Sequence, residues 1–241
     1  MECLDLIAVP VMVQGEKLVR HFKSVDVPLK RYYILDNSMG INSSVDEAID
    51  WICDNKPKHI QEIAVVSNNQ NAGYPGAVNQ IIRDNTDCDH WVVTGFDWWV
   101  AKDQYKKLLD KDFKEGVFLG QGMDDMCGFV FTPSLIEKVG LLDENFFPGY
   151  FEDNDYKRRL LLANADVIHC PLVNTHDRSS TLNSSSRFKK KNQYTFQQNY
   201  MYYVEKWGGK PGQEKYATPF NRGFPVNYWL FNPTRREELR W

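Results

Sequence analysis

"EIAVVSNNQNAGYPGAVNQIIRDN", residues 62–85, holds one strand, one polar loop and one helix in a single run. "EIAVVSNN" (62–69) is a short apolar, β-rich segment closed by turn formers, which reads as a strand. "GAVNQIIRDN" (76–85) carries helical signals. The strand pattern recurs in "LIAVPVMV" (6–13), "RYYILDNS" (31–38) and "HWVVTGFD" (90–97). Helical stretches separate these runs, "EKLVRHFKSV" (16–25) and "SVDEAIDWICDN" (44–55). Strands alternating with helices at this spacing predict βαβ units, an α/β fold class and a mostly parallel central sheet. Ligands of such sheets bind at the carboxyl ends of the strands. Asp36-Asn37, Asn68-Asn69 and Asp97 stand at three of those ends, so three separate turns become one candidate site.

Beyond about residue 115 the rhythm changes. "GVFLGQ" and "CGFVFTP" read as strands, and "PSLIEKVG" (133–140) as a helix opened by Pro and closed by Gly. A further helix is expected to begin at about Glu152, and "ADVIHCP" (165–171) to form the final strand. "SSTLNSSSRFKKKN" (179–192) is polar and Ser-rich and reads as a loop or linker. The tail is too aromatic for disorder, and a helix is expected over 193–206, followed by irregular chain. The predicted organisation is an α/β domain over 1–180 and a C-terminal extension over 181–241, packed on it and beginning with the Ser/Lys-rich loop.

Composition narrows the function classes. Apolar residues make up 42% and charged residues 25% of the 241, as in an ordinary globular protein. A net charge of −3 argues against binding nucleic acid over the whole surface and leaves only a local basic patch for such an acceptor. The five cysteines are scattered, odd in number and without metal-ligand spacing, which reads as reduced thiols in a cytoplasmic compartment. No apolar run reaches the ~18 residues of a membrane span, so a soluble chain, able to work at a membrane face, is expected. Aromatics reach 14%, and aromatic surfaces suit flat ligands such as sugars and bases.

Several residues carry chemistry. "FFPGYFEDND" (146–155) puts Glu152, Asp153 and Asp155 at a helix start behind an aromatic wall. Acids there are favoured by the helix dipole alone, whereas a carboxylate against such a wall can also serve as a general base. Asp97 ends its strand, where a carboxylate suits a hard divalent cation. Trp98 and Trp99 follow it; neighbours in an extended segment face opposite ways, so at most one lines the site, and a plain core role for both is an equal alternative. His176 follows the last expected strand among polar residues and is a candidate metal ligand. Asp36 fits either an Asx-turn or a ribose or base contact. "NNQNAGYPGAVNQ" (68–80) permits close backbone approach at Gly73 and Gly76, at a helix start that attracts phosphate. It matches neither the P-loop nor G-x-G-x-x-G.

Taken in order, "IAVPVMV", "ILDNS", "NNQNAGYPGAVNQ", "VVTGFDWWVAKD", "GFVFTPSLIEKVGLLDENFF", "YFEDNDYKRRL" and "NTH" resemble the family 2 glycosyltransferases of GT-A fold, over about residues 6–180. The resemblance implies an inverting transfer of sugar from a nucleotide diphosphate sugar, UDP favoured, to an acceptor hydroxyl, with Mn²⁺ or Mg²⁺. It implies that Asp153 is the catalytic base, supported by Glu152 and Asp155. Pro10, Asp36, Asn71, Gly73, Asn79, Phe96 and Asp97 would lie along the nucleotide sugar. Asp97 and His176 would hold the metal, and Trp98, Trp99, Tyr150, Lys189 and Lys190 are candidates for acceptor or lid contacts. The chain departs from the family's Asp-x-Asp, since the triplet is Gly95-Phe96-Asp97. One metal-binding carboxylate is missing, which leaves open a degenerate member that binds carbohydrate or nucleotide sugar without turnover. A sugar nucleotidyltransferase ranks low, because "VPVMVQGEK" (9–17) supplies no Gly-rich basic phosphate loop.

Overall fold

The computed structural model describes residues 2–121, 126–177, 181, 184–228, 235, 237 and 239. Among them a seven-stranded sheet runs in the order β3-β2-β1-β4-β7-β6-β8. Its strands are β1 (Leu4–Val11), β2 (Leu29–Asp36), β3 (Ile60–Ser67), β4 (Trp91–Thr94), β6 (Gly116–Phe118), β7 (Gly128–Phe131) and β8 (Val167–His169). β1 pairs in parallel with β2 and β4, and β2 with β3. β7 is antiparallel to both β4 and β6, and β6 is parallel to β8. The carboxyl ends of β1, β2, β3 and β4 therefore share one edge, where β7 also begins, Thr94 pairing with Gly128.

β1 is buried along its whole length, as befits a strand covered on both faces. Its alternation splits the core in two. Ile7, Val9 and Val11 pack with Leu18 and Phe22 of α1 (Gly15–Ser24) and Val45, Ala48 and Ile52 of α2 (Ser43–Asp54). Leu6 and Ala8 pack with Ile81 of α3 (Gly73–Asp84), Leu135 of α4 (Pro133–Val139) and Tyr156 of α5 (Glu152–Leu162). α1 and α2 approach closely through Gly15, where a Cβ would lie 1.8 Å from the Ser44 carbonyl oxygen. α4 starts and stops as its sequence predicts: the Thr132 hydroxyl accepts from Leu135 N at 3.3 Å, Pro133 opens the helix, and Gly140 leaves it at φ +82°.

Two expectations need correction. "ADVIHCP" does not supply the final strand: β9 (Asn174–His176) follows and pairs antiparallel with β5 (Trp98–Val100) in a second, two-stranded sheet. The C-terminal helix, α6 (Ser186–Trp207), begins seven residues earlier than predicted, because Ser185 caps it by accepting from Phe188 N at 3.2 Å. Residues 186–192, Lys189 and Lys190 included, are therefore helical rather than loop. Of the predicted loop, residues 179, 180, 182 and 183 lie outside the described residues. No described helix is long and apolar enough to cross a membrane.

Candidate active site

The turn after β2 is built by amides and one carboxylate. The Asp36 Oδ1 accepts from Ser38 N at 2.8 Å, an Asx-turn that holds Asp36 at the sheet edge. The Ser38 hydroxyl beside it is buried with no hydrogen-bond partner among the described residues. Asn37 donates to the Asn71 Oδ1 at 2.8 Å and accepts from Ala72 N at 2.9 Å and Asn68 Nδ2 at 3.3 Å. One side chain thus ties together the ends of β2, β3 and the start of α3. The Asn71 Oδ1 also accepts from Gly73 N at 2.8 Å. Gly73 opens α3 at φ +70°, three residues before the expected start near Gly76. A Cβ there would meet the Phe147 ring at 2.8 Å and the Pro148 oxygen at 3.0 Å. Pro10 is buried inside β1 opposite Leu35, just short of this edge.

Asn79 does not reach the edge. It is fully buried, donates to the Leu142 oxygen at 2.8 Å and Glu144 Oε1 at 2.9 Å, and accepts from Leu142 N at 2.9 Å. These bonds make it a clamp on the segment after α4, because a buried amide must find partners and the chain itself provides them.

After β4, Asp97 turns the chain into β5. Its Oδ1 stands 3.8 Å from His176 Nε2, 79 positions later in sequence. The β5–β9 pairing brings them together, with Trp98 opposite His176. Two ligands each about 2.1 Å from one ion span at most about 4.2 Å, so this pair can bind a single divalent cation. Carboxylate with imidazole suits Mn²⁺. Among the described residues no cluster of three or more His, Cys, Asp or Glu forms, so those residues bring only this pair of such donors together here. Gly95 fits against the pair: a Cβ there would lie 3.1 Å from Asp97 Oδ1.

The neighbours of Asp97 mostly face inward. Phe96 and Trp98 belong to the core, and Trp98 stands edge-on to Tyr105 with centroids 6.4 Å apart. Where a nucleotide-sugar and an acceptor role were expected, both side chains are buried in the core. Trp99, on the opposite side of β5, is half-buried beneath Arg20, whose Cζ lies 5.8 Å from its ring.

The three acids of α5 separate into three environments. Asp155 is wholly buried and fully engaged: Arg159 Nε at 2.9 Å, Lys206 Nζ at 2.6 Å and Trp207 Nε1 at 2.9 Å. Burial pushes its carboxyl up, but Lys206 and Arg159 outweigh this and hold it below the usual range. Its predicted catalytic role is therefore replaced by a positioning one, because no face of it is exposed. Glu152 is buried, and its Oε2 has no partner among the described residues. Burial first, then the charge of Asp153, push it up to about 8. Asp153 alone is accessible, its side chain 34% exposed, with Lys157 Nζ 3.5 Å away. Tyr150 and Phe151 enter the helix at φ +74° and +69°.

Contacts connect this helix start to the Asp97–His176 pair. Tyr74 N donates to the Pro148 oxygen at 2.6 Å, Tyr74 OH to the Met126 oxygen at 3.2 Å, and Gly95 N to the Cys127 oxygen at 2.7 Å. Lys189 and Lys190 are exposed on the first turns of α6. Sequence reasoning missed the residues that secure the site from afar. Asn199 donates to the Phe147 and Gly149 oxygens at 3.2 and 2.8 Å, and Lys206 Nζ lies 2.7 Å from Asp143 Oδ2 as well as on Asp155. The available signal was a lysine on the same face of the tail helix as Thr195, Asn199 and Tyr203.

Among solved structures, GalNAc-T7 with UDP, GalNAc and Mn²⁺ is similar at 12% identity and TM-score 0.60, covering 85% of this chain and 48% of that one. S. aureus TarS 1-349 is similar at 12% identity and TM-score 0.50, covering 82% and 72%. The same TarS fragment in complex with UDP-GlcNAc is similar at 10% identity and TM-score 0.50, covering 73% and 57%. The chain spans about half the length of GalNAc-T7. No family model and no curated protein sequence matches it.

Proposed function

We propose that the chain, on the fold it shares with the GT-A glycosyltransferases, moves a sugar from a nucleotide diphosphate sugar, UDP favoured, to an acceptor hydroxyl, with inversion at the anomeric carbon. One observation carries the reading. An accessible carboxylate, Asp153, lies in the first turn of α5, and the turn before that helix is joined through Tyr74 and the Met126–Cys127 backbone to Gly95, two residues before Asp97 and its neighbour His176.

In this reading the donor's nucleoside lies along Asp36, Ser38 and the Asn71–Gly73 turn. Asp153 accepts the proton of the acceptor hydroxyl as that oxygen forms its bond to the anomeric carbon. The bond from the anomeric carbon to the diphosphate oxygen breaks, and its electron pair leaves with the nucleoside diphosphate. A Mn²⁺ or Mg²⁺ ion held by Asp97 and His176 would neutralise the charge of that leaving group. Glu152, kept protonated near neutrality by its burial, adds no second negative charge beside Asp153. Support comes from the neighbours' ligands, since one similar structure holds UDP and Mn²⁺ and another UDP-GlcNAc.

Gly95 favours a second reading, a protein that binds donor or glycan without turnover. A thermal-shift panel of UDP-, GDP-, dTDP- and CMP-sugars, each with and without Mn²⁺, tests the proposal by mass action. A UDP-sugar that stabilises only with metal is expected, together with its slow hydrolysis to UDP. Stabilisation without any release of UDP, across a range of acceptors, supports the second reading; no stabilisation by any donor overturns both.

A further inference from the structure

α6 presents a mixed stripe to the catalytic end of α5. Lys189, Gln193, Phe196 and Tyr200 recur at i, i+4, i+7 and i+11, which places them along one flank of the helix. Phe196 is 43% exposed, yet its ring contacts Tyr150 at 5.4 Å and Phe151 at 5.0 Å between centroids. Tyr200 reaches Phe151 at 5.6 Å. Phe151 immediately precedes Glu152, so the stripe is continuous with the turn that carries Asp153. A partly exposed aromatic face next to a general base can hold the apolar face of a sugar ring.

Charge distinguishes the outer end. Arg187, Lys189, Lys190 and Lys191 lie within the first two turns of α6, and the helix has no acid before Glu205. Lys189 lies on the same flank as Phe196, seven residues away, or about 10.5 Å along the axis. Lys190 lies on a different face. We propose that this flank is the acceptor subsite, with Tyr150 and Phe196 stacking on a sugar ring and Lys189 meeting an anionic group one or two sugar units further along. The occupant is an anionic oligosaccharide carrying phosphate or carboxylate. This deepens the glycosyltransferase reading and rests on it for the placement of the reacting hydroxyl beside Asp153.

The test is retention on an array of immobilised oligosaccharides, neutral, uronate-bearing and phosphate-bearing, read in parallel with UDP affinity in Mn²⁺. The wild-type chain is expected to prefer anionic members. Phe196→Ala is expected to weaken all retained sugars on the order of tenfold, the loss of one good contact of about 1.4 kcal/mol. Phe196→Leu, which keeps an apolar side chain on Phe151 but removes the ring, should lose nearly as much without a change in melting point. Lys189→Gln should abolish the preference for anionic over neutral sugars, while Lys190→Gln preserves it. Equal retention by wild type and Phe196→Leu overturns the subsite, as does a wild type that retains only neutral sugars or none. UDP affinity answers the donor reading separately: loss of sugar retention with intact UDP binding counts against the subsite alone, and intact retention without UDP binding counts against the transfer reaction alone.

Discussion

Lys206→Met removes a buried ammonium while keeping most of its packing volume. Lys206 is fully buried between Asp143 and Asp155, at 2.7 and 2.6 Å. Removing one partner of a buried ion pair leaves an uncompensated charge and costs about 3–5 kcal/mol. Some compensation remains here. Asp155 keeps Arg159 and Trp207, and Asp143 keeps the Tyr202 hydroxyl at 3.0 Å and Asn145 Nδ2 at 2.7 Å. The expected loss is therefore at the lower end, about 3 kcal/mol. For a chain of this length that is a fall in melting point of about 6–12 °C. The pH dependence carries a second signature. The depressed Asp155 carboxyl contributes stability that is complete above its ordinary value of 3.8 and is lost as pH falls through its lower folded value. Without Lys206 that depression shrinks, so the acid limb of unfolding should move to higher pH. Urea unfolding followed by circular dichroism at several pH values measures both effects. A loss below about 1 kcal/mol would refute the reasoning, because it would show that the lysine is no more than a surface-grade pair.

Asp153→Asn should leave the affinity for a UDP-sugar unchanged and lower transfer on the order of 10²- to 10⁴-fold, the usual worth of a general base; transfer at the wild-type rate would exclude Asp153. Glu152 is raised from 4.5 to about 8, so the stability linked to its proton is full below 4.5 and lost as pH rises toward 8. Glu152→Gln should flatten unfolding free energy across that window and exceed wild-type stability at its alkaline end, as read by chemical denaturation at stepped pH. Gly95→Ala sets a methyl group 3.1 Å from Asp97 Oδ1 and should displace that carboxylate by a few tenths of an ångström. Calorimetric titration of Mn²⁺ in the presence of UDP should then show weaker binding than wild type, and an unchanged affinity would remove Asp97 from the metal site.

The parallel half of the sheet was legible because each of its strands is an apolar run closed by turn residues. The start of α5 was legible too, since three acids follow an aromatic turn with no competing signal. What escaped the sequence depends on long-range pairing. Asp97 and His176 were expected to share a metal through the family resemblance, but the β5–β9 pairing that brings them together was not read, because three-residue strands leave too little alternation. Asp155 looked like its neighbours Glu152 and Asp153; its partners Lys206 and Trp207 stand about fifty positions on, and no local pattern announces them. Asn79 sits in a motif that points to ligand, yet its amide is consumed by Leu142 and Glu144. Trp98 and Trp99 were correctly expected to face apart, but which of them turned inward was decided by the cover over β5. The start of α6 was placed late because serines and lysines masked a helix whose cap, Ser185, lies among them.

The bonds from α6 into the α5 turn bear on how such a chain could be re-engineered. Asn199 fixes the backbone oxygens of Phe147 and Gly149, and Lys206 and Trp207 anchor the first turn of the acidic helix. A chimera that replaced the tail from residue 181 onward would also remove the supports of the turn that carries Asp153. A viable graft has to keep Asn199, Lys206 and Trp207 as an invariant frame and vary only the outward flank between them, so the tail is exchangeable by its surface and not as a cassette.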